Sequence, residues 1–156
     1  MKPQSPTVQM LDKPREKQPV EGFGLSAQDM MDLMSAYEPF GLWRIELDSG
    51  QTFWSSDTYR VLGLEPSQGA ADFRWAIQQF HPEDAEMIAR VLEEAIERKG
   101  SFRFALRLKQ TDRSYELIHS VGCYRERQDG TEEMIGFTWK QGTDELQIVV
   151  DGDPTD

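Results

Sequence analysis

The chain has 156 residues, 17 basic and 28 acidic, for a formal charge of −11 and a pI near 4.6. That length favours a single domain, large enough to bury a core without disulfide or metal staples. The acidic balance, with basic residues scattered as in Arg125-Glu126-Arg127, argues against nucleic acid and anionic membrane as partners.

In chain order, residues 1–22 carry Pro3, Pro6, Pro14 and Pro19 among polar residues, a density that predicts a disordered arm. "LSAQDMMDLMSAYEPFG" follows. Ser26 with Asp29 three residues on comes close to a capping box, and Met30, Leu33, Met34 and Tyr37 recur at helical spacing. The pattern predicts an amphipathic flanking helix over 25–38, ended by Pro39 and Gly41. Strands over 42–47 and 52–55 are joined by Asp48-Ser49-Gly50, a hairpin turn. Ser55 or Ser56 caps a short helix closed by Gly63, and "ADFRWAIQQF" (71–80) makes another.

A longer helix follows from His81, with Ala85, Ile88, Leu92, Ala95 and Ile96 on one face and Gly100 as its stop. The period then changes to two. In "SFRFALRLK", Phe102, Phe104, Leu106 and Leu108 face one way, and Arg103, Ala105 and Arg107 the other. A long strand over 114–127, a turn at Asp129-Gly130 and a strand over 132–141 complete a meander, which 145–150 extends or follows, and 151–156 form an acidic tail. This order predicts an α+β fold: a five-stranded antiparallel sheet with helices packed on one face, plus the N-terminal amphipathic helix, the main domain covering 39–150.

Signs of chemistry are few. His81 is followed by Glu83, Asp84 and Glu86, yet the only other histidine, His119, sits on a strand with Cys123 four residues on. That spacing separates the two side chains by roughly 13 Å at ~3.3 Å per residue, too far to share a metal. A capping reading explains His81 fully: it sits at the helix start, Pro82 takes the first helical position, and Glu83 and Asp84 place negative charge at the positive helix end. The predicted metal ligands and catalytic residues are therefore none. No nucleophile elbow or phosphate loop appears, so the chain is not expected to be an enzyme. Cys123, the single cysteine, excludes an internal disulfide and reads as an inert, half-buried thiol. No apolar run approaches the ~18 residues of a membrane span, and the N-terminus has no apolar signal region, so a soluble cytoplasmic protein is expected.

His81-Pro82-Glu83-Asp84, "GLWRIELDSGQTFWSSDTYRVLGLEP" and "KGSFRFALRLKQTDRSYELIHSVGCYRERQDGTEEMIGFTW" together resemble a PAS domain of the subgroup whose long helix opens with His-Pro-x-Asp. The resemblance spans roughly residues 38–141. Three departures stand out. The turn that usually reads Asp-Gly is Asp112-Arg113, the Arg-Trp pair of the next strand is Glu116-Leu117, and the Asp-Ile-Thr ending of the last strand is Lys140-Gln141-Gly142. The last of these puts conventional in-line coupling to an output domain in doubt.

The resemblance implies a signal-transduction module, a stand-alone one of bacterial type, that senses a small molecule or recruits a protein without catalysis. An unknown small molecule, or none, would occupy its cleft, for which Tyr59, Phe73, Ile77, Phe104, Leu106, Val121 and Phe137 are the expected lining. Haem is disfavoured because His81 is at a helix start, and flavin photochemistry because Cys123 is on a strand. The resemblance further implies a homodimer and a signalling partner such as a histidine kinase or regulator, with Met30, Leu33, Met34 and Tyr37 as the interface. Packing of that helix on its own sheet explains the stripe equally well. The competing readings are a ligand-free adaptor for one protein and a small enzyme using the cleft.

Overall fold

A computed structural model describes residues 5–12, 15–66 and 71–140. The expected element at 145–150, the 151–156 tail and the first residues of the arm lie outside them. The described elements run in the order β1 (Thr7–Leu11), α1 (Ala27–Met34), β2 (Phe40–Glu46), β3 (Thr52–Trp54), α2 (Ser56–Val61), α3 (Phe73–Gln78), α4 (Pro82–Arg98), β4 (Ser101–Lys109), β5 (Tyr115–Glu126) and β6 (Glu132–Lys140). The strands form one antiparallel sheet in the order β1-β4-β5-β6-β2-β3. Ile88, Val91, Leu92 and Ala95 of α4 pack on Phe102, Phe104 and Leu106 of β4, which sets the helix-covered inner face.

Among the described residues the sheet has six strands, not the five expected. The sixth comes from the proline-rich arm, where Thr7–Leu11 pairs with Ala105–Ser101. Pro6 and Pro14 flank this stretch and leave its backbone donors intact. Val8 and Met10 alternate inward onto the core cluster, so two apolar side chains and a ladder offset the ordering cost. The flanking helix is shorter than its apolar stripe suggests. α1 has both bonds of a Ser26–Asp29 capping box, at 2.9 and 2.8 Å, but it ends at Met34. Ser35 bonds back to the Met31 carbonyl at 2.7 Å, and Pro39 disfavours helix at the residue before it. Tyr37 therefore lies beyond the helix and is 94 % exposed.

The start of α4 is tied to the sheet more firmly than a cap requires. His81 accepts the Glu83 N–H through Nδ1 at 3.2 Å, as a helix cap. Asp84, only 1 % exposed, accepts the Arg107 backbone N–H at 2.8 Å and the Arg107 guanidinium at 3.0 and 2.8 Å. The His81 N–H meets the Arg107 carbonyl, and the Lys109 N–H meets Gln79. The β4 edge is thus closed along its length, by β1 over 101–105 and by residues 79–84 beyond it.

Two predictions follow from these contacts. Burial opposes ionisation of Asp84, but the hydrogen bonds and charge of Arg107 outweigh it and hold the carboxyl below its ordinary value. Asp84→Ala leaves the Arg107 N–H without its acceptor and the guanidinium with only Glu83 at 3.5 Å, and we expect a loss of about 3 kcal/mol in urea unfolding at pH 7. Because the folded value is depressed, the ionic part of this stabilisation is full above the unfolded value of about 3.9 and disappears as pH falls through the folded one. The gap between wild type and Asp84→Asn should therefore close in acid. The second concerns the β4–β5 turn, where Arg113 holds a left-handed φ of 69°, the conformation a glycine takes without strain. Arg113→Gly should raise stability by about 0.5–1 kcal/mol, read as a higher thermal midpoint.

Candidate functional site

Between the inner face and α2–α4 lies a small apolar cavity of about 80 Å³. Its walls are Trp43, Trp54, Phe73, Ile77, Phe80, Phe102 and Phe104, closed by Ala76 and Ile118. The polar side chains at its rim are turned to protein partners. The Trp43 indole N–H donates to Ser120 Oγ at 3.3 Å, and Ser120 donates to the Phe137 carbonyl at 3.2 Å. Thr138 donates to the His119 carbonyl at 2.8 Å, and Thr58 to the Leu42 carbonyl at 2.7 Å. The space is about half that of an engineered cavity of roughly 150 Å³ that admits benzene. Its volume and lining match a small apolar molecule.

Trp43 packs tightly at one wall of the cavity. Its indole lies over Gly136 and Gly122, and a Cβ on Gly136 would sit 2.3 Å from the Trp43 ring. Phe102 stacks on Trp43 and Phe104 on Phe102, with ring centres at 6.2 and 5.7 Å. Gly136→Ala clashes with the Val121 carbonyl oxygen at 2.2 Å as well as with Trp43, so the strand and the indole must both shift. We expect a cost of about 2 kcal/mol and a shifted tryptophan emission maximum.

Of the residues expected to line the cleft, Phe73, Ile77 and Phe104 do so. Leu106 is fully buried in the main core, and Tyr59 packs edge-on against Trp54 at 5.1 Å; neither is in the cavity wall. Val121 and Phe137 lie on the opposite face of the sheet, paired with each other across β5 and β6. Hydrophobicity misassigned them, because the inner positions of β5 include Ser120 and Gly122, whereas the outer ones include Leu117 and Val121. Trp43, Trp54, Phe80 and Phe102 were missed, although the small residues opposite an indole were a usable signal.

The outer face is also apolar. Phe40, Phe137 and Trp139 stack with ring centres 5.0 to 5.7 Å apart, and His119 stacks on Trp139 at 5.1 Å. Beside them is a groove of about 730 Å³ floored by Leu42, Val121, Ile135 and Phe137. Cys123 also lines it, half-buried, and burial pushes its thiol up, which suits an inert group.

Arg15, Arg44 and Arg125 stand along the groove. Behind it, Glu133 is fully buried and accepts from Arg44 at 3.1 Å, Arg125 at 2.6 Å and Arg127 at 3.2 Å. Burial works against its charge, but the Arg125 and Arg44 hydrogen bonds prevail and keep it below the usual carboxylate range. Glu46, directly across the ladder, shares Arg44 at 3.0 Å, and Arg44 also lies 4.1 Å over the Phe53 ring. Among the described residues no group of His, Cys, Asp and Glu side chains could hold a metal, and no helix is long and apolar enough to cross a membrane.

The family model described as the PAS fold matches residues 51–138, more than half of the chain. The chain belongs to the PAS fold family. Comparison with curated proteins gives no match. Among solved structures, an RNA-binding light-oxygen-voltage receptor is similar at 15 % identity and a TM-score of 0.61, over 72 % of this chain and 32 % of that one, so the chain spans about a third of its length. The N-terminal domain of a diguanylate cyclase with PAS/PAC sensor from Marinobacter aquaeolei is similar at 20 % identity and 0.55, over 65 % and 94 %. A sensory box histidine kinase/response regulator from Burkholderia thailandensis E264 is similar at 18 % and 0.56, over 70 % and 82 %. At these identities the likeness establishes the PAS fold, and the subgroup marked by His81-Pro82-Glu83-Asp84 rests on the sequence motif.

Proposed function

We propose that this PAS domain is a cytoplasmic signal-transduction module that works by protein contact and not by catalysis, associating with itself and with a signalling protein such as a histidine kinase. The observation that carries this reading is the pairing of an apolar outer face with a helix whose own apolar stripe is uncovered. α1 has no buried residue, and Leu33 is 63 % exposed. Surfaces of this kind on a small protein mark interaction sites. Sensing of a small apolar molecule in the cavity is a second reading, favoured by the apolar lining and by polar groups already satisfied within the protein. The PAS-containing sensor proteins of similar fold support a signalling context.

Sedimentation equilibrium tests the contact reading. The 18.0 kDa chain should give a mass near twice that value at micromolar concentration, and Leu33→Asp should return it to monomer with its far-ultraviolet spectrum unchanged. A monomeric wild type that also captures no kinase or regulator would overturn the reading.

A further inference from the structure

The strand register grades the outer face from apolar to cationic. Val121, Phe137 and Leu42 stand in one row across β5, β6 and β2, and Ile135 stands beside Arg44 in the next. One row further on come Arg125, Glu133 and Glu46. In the other direction the Phe40–Trp139 pair extends the apolar side. Rows on one face lie about 7 Å apart, two residues of ~3.4 Å each. An apolar band roughly 14 Å long therefore ends against a charged edge.

The charged edge has donors to spare. Arg44, Arg125 and Arg127 are bonded there to two carboxylates, Glu133 and Glu46, which leaves one positive charge in surplus. Arg44 reaches both carboxylates through Nη1 alone, and Arg125 reaches Glu133 through Nε and Nη2. Among the described residues, Arg44 Nε and Nη2 and Arg125 Nη1 thus have no acceptor. The buried Glu133 and the Phe53 ring fix these guanidiniums, so little ordering cost is left for a ligand to meet. Arg15 borders the same groove. In a chain of net charge −11, this is a local exception that favours an anion.

We propose that this groove binds an amphipathic carboxylate, a small anion with an unbranched apolar chain. The carboxylate sits between Arg44 and Arg125, where a guanidinium fork matches its two oxygens. The chain runs along the strands over Ile135, Phe137 and Leu42, so that head and tail each meet the matching end of the graded face. The groove's volume of about 730 Å³ lies within the ~300–1,000 Å³ of small-molecule sites. It is separate from the 80 Å³ cavity on the inner face. The site goes beyond the contact reading above: it lies on the face that reading gives to protein partners, so ligand and partner compete.

Calorimetric titration with decanoate tests this, on the full chain and on its Leu33→Asp variant, in which self-association does not cover the groove. The variant should bind decanoate, bind longer acids about fourfold more tightly per added methylene, and bind decan-1-ol about tenfold more weakly. Amide resonances of Val121, Ile135 and Phe137 should shift on binding. Leu42 is 42 % exposed, so Leu42→Glu retains the fold, which thermal unfolding checks. Its carboxylate in the apolar floor should weaken binding about tenfold. Equal affinity for acid and alcohol, unchanged affinity in Leu42→Glu, or shifts confined to Phe73 and Ile77 of the inner cavity would each overturn the site. A chain that dimerises but binds no decanoate in either form overturns this proposal and leaves the contact reading standing. Decanoate bound in the groove of a wild type that stays monomeric and captures no partner supports the site while the contact reading falls.

Discussion

The Asp84–Arg107 clamp is the interaction on which the arrangement of the domain depends. A carboxylate in the first turn of α4 takes one backbone and two guanidinium donors from β4, so helix and strand are locked at one point in one rotation. The lock places Ile88, Leu92 and Ala95 over Phe102, Phe104 and Leu106. It also closes the part of the β4 edge that β1 does not reach. Ion pairs at this depth stabilise only when the geometry satisfies both partners, and here the backbone N–H supplies the extra donor.

From that placement the two faces of the sheet take different characters. On the inner face, aromatic rings and α2–α4 leave a cavity of about 80 Å³ whose polar neighbours are bonded within the protein. Gly122 and Gly136 allow Trp43 to lie flat and take the space a bulkier strand would occupy. On the outer face, the buried Glu133 with its three arginines sits beside an apolar groove. Apolar area and charge therefore lie together on the side of the sheet away from α3 and α4.

How much of this was legible in the sequence differs from residue to residue. The capping residues of α1 and α4 were readable, because a cap is satisfied within three residues of chain. Asp84 was read as helix-end charge, and its partner lies 23 residues away, so no local pattern exposes the clamp. The alternation of β4 was unambiguous because arginines mark its outer positions. For β5 and β6 both faces carry apolar residues, and Val121 and Phe137 were assigned to the wrong one. Asp112-Arg113 was visible as a departure from Asp-Gly, and the left-handed φ of Arg113 is its structural counterpart.

The sequence by itself determined the α+β class, the order of the elements from α1 onward, the PAS resemblance and the amphipathic stripe of α1. These rest on periodicity, turn residues and caps, all of which act over a few residues. Only the tertiary structure decided that Thr7–Leu11 becomes a sixth strand, that Trp43 packs on two glycines at the cavity wall and that three arginines converge on Glu133. Each depends on surfaces brought together from distant parts of the chain: an open β4 edge, two glycines facing an indole, and a carboxylate between strands. Short-range patterns carry no information about which partner such a surface will meet.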